Sequence, residues 1–167
     1  MSLEHLWAGW RAAFVTETPS PRGGCVLCAI GEGEDGADEL VVARGNAAYC
    51  VLNLYPYTAG HLMVVPLRHV GDVEELEAAE ANELWDLVRQ GIRALRAVYD
   101  PQGLNLGMNL GRAAGAGIAD HLHVHVVPRW VGDANFMVTA AQTRVLPEAL
   151  PATRDKLRRA WPREAGA

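Results

Sequence analysis

The stretch Asp120–Trp130, DHLHVHVVPRW, constrains the fold more than any other part of the chain. Histidines at 121, 123 and 125 alternate with Leu122, Val124 and Val126. Successive side chains on an extended strand point to opposite faces. The order therefore predicts a strand with three imidazoles on one face and an apolar row on the other. That apolar row needs a covering layer, which the chain must supply as a helix. A strand that merely faced solvent would carry threonine, lysine or glutamate more readily than three histidines in register.

The rest of the sequence offers partners for this strand. ELVVARG (39–45) reads as a short strand. AAYCVLNL (47–54) sets Tyr49, Val51 and Asn53 against Cys50, Leu52 and Leu54, and GHLMVVP (60–66) makes a third strand closed by Pro66. The intervening YPYTAG reads as a hairpin-type connection. A long helix is expected from Asp72, as N-cap with Glu75 as its capping-box partner. Its apolar face repeats through Val73, Leu76, Leu84, Leu87, Val88, Leu95 and Val98. It should stop near Tyr99, because Pro101 restricts Asp100 and Gly103 follows. LNLGMNL (104–110) reads as a fourth strand, GRAAGAGIA (111–119) as a flexible loop, and HLHVHVVP (121–128) as the fifth strand. A second helix is expected over 152–161. Residues 3–15 read as a short helix or anchoring arm, and the acidic, glycine-rich 30–39 as a mobile loop. The expected class is α+β, with a mostly antiparallel five-stranded sheet, one long helix and a C-terminal helix.

Composition bounds the function. The chain has 167 residues, enough for one domain with a true core, and a formal net charge of −5. Such a balance argues against a nucleic-acid polymer as partner, since phosphate backbones call for a basic patch. Small nucleotides remain open, because a few backbone donors can hold them. No apolar run is long enough to span a membrane, and the N-terminus does not read as a secretory signal. With three cysteines and no export signal, a cytoplasmic protein without a structural disulfide is expected.

The histidines suggest phosphate chemistry. Neighbouring same-face positions on a strand are roughly 6.6–7 Å apart, whereas zinc holds its ligands at about 2 Å. Three histidines on one straight strand therefore suit separate roles better than one shared ion. His123, in the middle, suits a nucleophile: a neutral imidazole attacks phosphorus and leaves again once protonated. His121 and His125 can orient it or touch phosphate oxygens and the leaving group. The glycine-rich loop before the strand can add backbone N–H donors.

A second cluster is Cys25 and Cys28 in GGCVLCAI. Cys-x-x-Cys spacing fits two thiolates on one zinc, which then needs two further ligands. A redox pair would be expected beside a thioredoxin-like pattern, which is absent. A chance pairing is the third reading, and spacing alone does not choose.

HLHVHVVP matches the signature His-φ-His-φ-His-φ-φ, with φ apolar, and the chain resembles the histidine triad family. VLNLYPYTAGHLMVVPLRHV resembles that family's upstream hairpin and GLNLGMNLG its fourth strand, so the likeness covers roughly residues 40–136, with the opening LWAGWR adding to it. HLHVHVVPRWVGDANFM is most similar to the bacterial branch acting on diadenosine polyphosphates. The resemblance implies a histidine-triad domain at 40–136, an N-terminal arm with the cysteine knuckle and acidic loop at 1–39, and a helical tail at 137–167 packed on the same domain. It implies that His123 attacks the α-phosphate to form a nucleotidyl-histidine, which phosphate or water then releases. His125 would contact the α-phosphate or leaving group, Asn53 the ribose, Asn109 the phosphate site. It further implies a structural zinc on Cys25, Cys28, His69 and His121, no organic cofactor, and a homodimer whose sheets join. One departure stands out. Many relatives carry glutamine then serine or threonine four and three residues before the first triad histidine, where this chain has Gly117 and Ile118. Side-chain contacts to phosphate are lost there, and the backbone of Gly117 is left to serve.

Other residues read as structural: Cys50 as a small buried hydrophobe, His5 and His61 as packing or hairpin residues, Trp130 and Trp161 as core or interface. Arg112 and Arg129 rank as minor candidates for phosphate contact. Two rival readings are a nucleoside phosphoramidate hydrolase using the same histidine chemistry, and a non-catalytic nucleotide-binding module.

Overall fold

The computed structural model describes residues 24–33, 39–133 and 147–162. Five strands form one sheet: β1 (Val41–Arg44), β2 (Ala48–Leu52), β3 (Leu62–Pro66), β4 (Gly103–Gly107) and β5 (Val124–Arg129). Their order is β1-β2-β3-β5-β4 and every neighbouring pair is antiparallel. Three helices accompany them: α1 (Val26–Glu32), α2 (Ala78–Tyr99) and α3 (Leu150–Ala160). The expected α+β architecture is thus present, and among the described residues no helix is long and apolar enough to cross a membrane.

The sheet buries both faces. Cys50, Leu52, Leu62, Val64, Val124 and Val126 pack against Leu84, Leu87, Val88 and Leu95 of α2 and Leu157 of α3. This is the covering layer that the apolar row required. On the opposite face Tyr49, Val51 and Val65 meet Leu27 of α1, with Ile30, Met63, Leu67 and Ile118 at the margin. The Tyr49 hydroxyl, itself buried, donates to the Leu27 carbonyl at 2.6 Å, fixing α1 to the sheet. The alternation within β2 therefore separates two apolar cores.

Several boundaries differ from those expected. Asp72 caps only a 3₁₀ turn over Val73–Glu75, and Leu76 returns to extended backbone. The long helix starts afresh at Ala78, where Glu77 and Glu80 form the reciprocal capping box. Val73 is consequently exposed rather than part of an apolar face. The far end lies where proline geometry placed it, with Asp100 as a left-handed C-cap. β4 stops at Gly107, three residues short of the expected Leu110. α3 starts at Leu150, with proline in its first turn, two residues ahead of expectation. Ile30–Glu32 belong to α1, so the acidic loop begins only at Gly33, and 34–38 lie outside the described residues, as do the arm at 3–15 and the Ala134–Met137 part of the GDANFM extension.

Candidate active site and metal centre

Strand β5 carries one of the three imidazoles instead of all three. The β3–β5 ladder ends at Val64 opposite Val124. It cannot continue past Pro66, which has no N–H to donate. The Pro66 carbonyl instead accepts from His121 Nε2 at 2.9 Å, and the Leu122 N–H turns to the Val70 carbonyl at 2.6 Å. His121 and His123 thus sit on the approach to the strand, each held by its own contacts.

His121 is buried and is used at both ring nitrogens. With Nε2–H on Pro66, Nδ1 is the lone-pair nitrogen of the neutral ring. It lies 3.2 Å from Cys25 Sγ and 3.5 Å from Cys28 Sγ. Cys28 Sγ is in turn 3.3 Å from Nδ1 of His69. The four ligand atoms all lie within 4.8 Å of one another. Ligands on a tetrahedral zinc, at about 2.3 Å for sulfur and about 2.0 Å for nitrogen, sit roughly 3.3–3.8 Å apart. Two sulfurs and two nitrogens at these separations fit such an ion. Burial, then the neighbouring Cys25, push the Cys28 thiol up to about 11. Because His121 faces the cysteines, no ring nitrogen of it remains for a phosphate.

His123 is buried with 7% of its surface exposed, so little of it beyond a reactive edge can be reached. Its Nδ1–H donates to the His121 carbonyl at 2.9 Å, which leaves Nε2 as the basic nitrogen. Burial pushes its pKa below the ordinary 6.5, opposed in part by that hydrogen bond. The ring is therefore neutral at pH 7, as a nucleophile must be. It lies edge-on to His125, with ring centroids 4.9 Å apart.

His125 is oriented by His61, a residue expected only to hold the hairpin. The Tyr57 N–H donates to His61 Nδ1 at 3.1 Å, so His61 carries its proton on Nε2. That proton is given to His125 Nδ1 at 2.9 Å, and His125 then bears its own proton on Nε2. His61 is fully buried, and the Tyr57 ring packs 4.6 Å from it, centroid to centroid. Gly60 delivers His61 with φ +79, and a Cβ there would come within 2.8 Å of Leu95. Only glycine tolerates both conditions. The missed signal was the strand order: once β3 and β5 are neighbours, two distant histidines meet.

The expected substrate residues Asn53 and Asn109 make local contacts. Asn53 Oδ1 accepts from the Tyr55 N–H at 2.9 Å, in a local turn that leaves its amide nitrogen as donor. Asn109 Nδ2 reaches the Gly115 carbonyl at 3.4 Å and braces the loop before the triad. Gly117 is exposed in that loop, and among the described residues its N–H donates to no protein acceptor. Ile118 packs into the second core beside Tyr49 and Val65. Arg129, a minor candidate for phosphate, is instead clamped by Asp133 at 2.5 and 2.7 Å and by Asn105 at 2.6 Å. Trp161 donates to Gln90 at 2.8 Å and packs on the main core.

Comparison with known proteins shows the family. The family model of the HIT domain matches residues 34–131. The chain is 44% identical over 168 residues to AP-4-A phosphorylase from Mycobacterium tuberculosis, spanning 97% of this chain and 86% of that protein. Among solved structures it is similar to a Zn-bound histidine triad family protein from Mycobacterium smegmatis, with a TM-score of 0.67 and 28% identity, covering 82% of this chain and 92% of the other. It is also similar to a hypothetical histidine triad nucleotide-binding protein from Sulfolobus tokodaii, with a TM-score of 0.66 and 27% identity, covering 81% and 91%. The protein belongs to the HIT domain family.

Proposed function

We propose that the protein is an enzyme that transfers a nucleotidyl group from a dinucleoside polyphosphate of the diadenosine tetraphosphate type, through a covalent bond to His123, and on to phosphate or water. The observation that carries the reading is the pair of fixed tautomers. His123 presents a neutral, basic Nε2 because Nδ1 is bound to the His121 carbonyl, and His125 carries a proton on Nε2 because Nδ1 is bound to His61. One ring can attack and its neighbour can donate. The likeness to AP-4-A phosphorylase, over nearly the whole chain, supports the substrate class and favours phosphate as acceptor.

In this reading His123 Nε2 attacks the α-phosphorus and the P–O bond to the rest of the polyphosphate breaks, the departing oxyanion being held by a hydrogen bond from His125 Nε2–H, which keeps its proton. An acceptor oxygen then enters from the vacated side, shedding its proton to solvent when the acceptor is water, and the electron pair of the P–N bond returns to Nε2. Asn53 serves the ribose, while Asn109 and the N–H of Gly117 serve the phosphate side. Cys25, Cys28, His69 and His121 hold a structural zinc, supported by their fit and by the Zn-bound relative. The ion supplies rigidity: it ties α1 to the segment whose carbonyl orients His123.

Residues 40–136 act as the catalytic domain, with 1–39 as arm and 137–167 as tail. The protein works as a homodimer joined at β4. The other sheet edge is already occupied, because Arg158 of α3 donates to the Val41 carbonyl and Arg154 to that of Glu39, whereas β4 is an exposed edge. Free thiols kept for metal suit a reducing compartment, and on that ground we place the protein in the cytoplasm.

The test is a product assay on diadenosine tetraphosphate with and without inorganic phosphate, beside a nucleoside phosphoramidate. ADP plus ATP, appearing only with phosphate, marks a phosphorylase, and AMP plus ATP without it marks a hydrolase. Cleavage of the phosphoramidate alone would replace this reading by the amine-leaving one.

A further inference from the structure

We infer that Arg112 is the residue that grips the phosphate acceptor, and that it first holds the polyphosphate that leaves. This inference rests on the nucleotidyl-transfer reading above and concerns its acceptor specificity.

The first observation is position. Gly107, the last residue of β4, pairs with His125. The chain then leaves the sheet, makes the 3₁₀ turn Arg112–Ala114, and re-enters at His121, two residues before His123. Both feet of this arch stand in the site. It is pinned by the Asn109–Gly115 hydrogen bond, by buried Ala116, and by Ile118 against the second core, on the same sheet face as His125. Gly111 at φ +74 and Gly115 at φ +89 flank the turn and set its path.

The second observation is charge. Arg68, Arg89, Arg129, Arg154 and Lys156 are each paired with a carboxylate. Arg44 and Arg158 donate to backbone carbonyls. Arg93, Arg96 and Arg159 belong to α2 and α3, away from the face of His125. Arg112 is exposed on the arch, and among the described residues its guanidinium meets no carboxylate. Asp120, at the other foot of the arch, is the acidic residue nearest to it in sequence. Among the described residues of a chain of net charge −5, Arg112 is thus the guanidinium that no carboxylate or carbonyl holds on the arch that starts opposite His125 and ends at His121, and an anion finds a partner there.

The chemistry gives that partner its identity. Both half-reactions at phosphorus proceed in line, so the acceptor enters from the side the leaving group vacated. A cation that neutralises the leaving polyphosphate is thus also the one that inorganic phosphate meets. When a phosphate oxygen attacks the nucleotidyl phosphorus, the new P–O bond forms as the P–N bond to His123 breaks, and a nucleoside diphosphate departs. Water needs no such cation. Arg112 would in this way favour phosphorolysis over hydrolysis.

The experiment compares wild type with Arg112→Gln and Arg112→Lys on diadenosine tetraphosphate, varying inorganic phosphate, with an AMP phosphoramidate as a substrate whose leaving group has no phosphate. The expected result for Arg112→Gln is a KM for phosphate raised roughly ten- to a hundredfold, the loss of a charge-assisted hydrogen bond, with partial recovery in Arg112→Lys and unchanged phosphoramidate cleavage. Wild-type KM for phosphate in Arg112→Gln overturns the inference and leaves the nucleotidyl-transfer reading standing. Equal loss on the phosphoramidate also overturns it, since Arg112 would then act on the arch rather than on the anion. If wild type forms no nucleotidyl-histidine with any of these substrates, the broader reading fails and this one with it.

Discussion

His61 donates its Nε2 proton to Nδ1 of His125 across 2.9 Å, joining two strands whose residues lie 64 positions apart. The bond fixes which nitrogen of His125 carries the proton available to a leaving group. Replacing His61 by alanine is therefore expected to lower kcat by about ten- to a hundredfold, the loss of one aimed hydrogen bond to a charged leaving group. KM should change little. A double-mutant cycle with His125→Ala checks the linkage: the two losses should be far from additive, because both remove the same oriented proton. Additive losses would show that His61 acts by packing alone.

His123→Ala is expected to keep the fold and nucleotide binding while losing at least about a thousandfold in turnover. Its one side-chain hydrogen bond among the described residues goes to the carbonyl of His121, and no ladder partner of the sheet depends on the ring. Mass spectrometry of enzyme quenched rapidly and kept at alkaline pH, where a P–N bond survives, should show a nucleotide adduct in wild type and none in the variant. Near-normal activity in His123→Ala would remove it from the mechanism.

The legible and illegible parts of this fold divide along a physical line. Periodicity is local, so β2, β3 and the body of α2 were readable from their own residues. The C-terminal end of α2 was readable too, because Pro101 acts on its immediate neighbour. The start of α2 was not: Asp72 with Glu75 and Glu77 with Glu80 both satisfy the spacing of a cap, and only the packing of Leu76 and the pull of Arg68 on Glu80 select the second. The triad posed the opposite difficulty. Alternation correctly forecast that Val124 and Val126 would be buried beneath a helix. It placed His121 and His123 inside the strand, because the missing N–H that ends the ladder belongs to Pro66, distant in sequence. Around the candidate zinc, Cys25 and Cys28 stood out by their spacing, whereas His69 and His121 came from resemblance; the contact between Tyr57, His61 and His125 depends on strand order, which no single segment carries.

Arg68 holds the Glu80 carboxylate at 2.7 and 2.9 Å and donates to the Glu75 carbonyl at 2.6 Å, tying the start of α2 to the turn that bears His69. The Arg68 hydrogen bond, and then the Glu77 backbone N–H, hold the Glu80 carboxyl down at about 2, below its ordinary 4.5. A depressed carboxylate stabilises the fold fully above its unfolded value and loses that contribution as pH falls through the folded one. The advantage of wild type over Glu80→Gln in chemical denaturation should thus be present at pH 6, about 1 kcal/mol after solvent screening, and shrink from pH 4.5 towards 2. An advantage independent of pH would mean that the capping geometry, and not the charge, carries the effect.

Protein purified without chelator is expected to contain about one zinc per chain, and Cys25→Ser to contain much less, because two sulfurs and two nitrogens are the closed set of a structural site. The consequence should reach the nucleophile. Cys25 precedes α1, whose Leu27 and Ile30 cover the second core, and His121, the ligand shared by both thiols, offers His123 its carbonyl. Loss of the metal should therefore lower the midpoint of thermal unfolding and also reduce kcat, with zinc readdition restoring both in wild type stripped by chelator. His69→Ala serves as the discriminating variant: it removes a ligand exposed at the surface, whose ring contact is with His121 of the same cluster. A His69→Ala protein with full zinc content and full stability would show that His69 is no ligand, whereas wild type free of zinc and fully stable would show that the four groups approach one another without an ion, and the brace on His123 would then have to come from the Pro66 hydrogen bond alone.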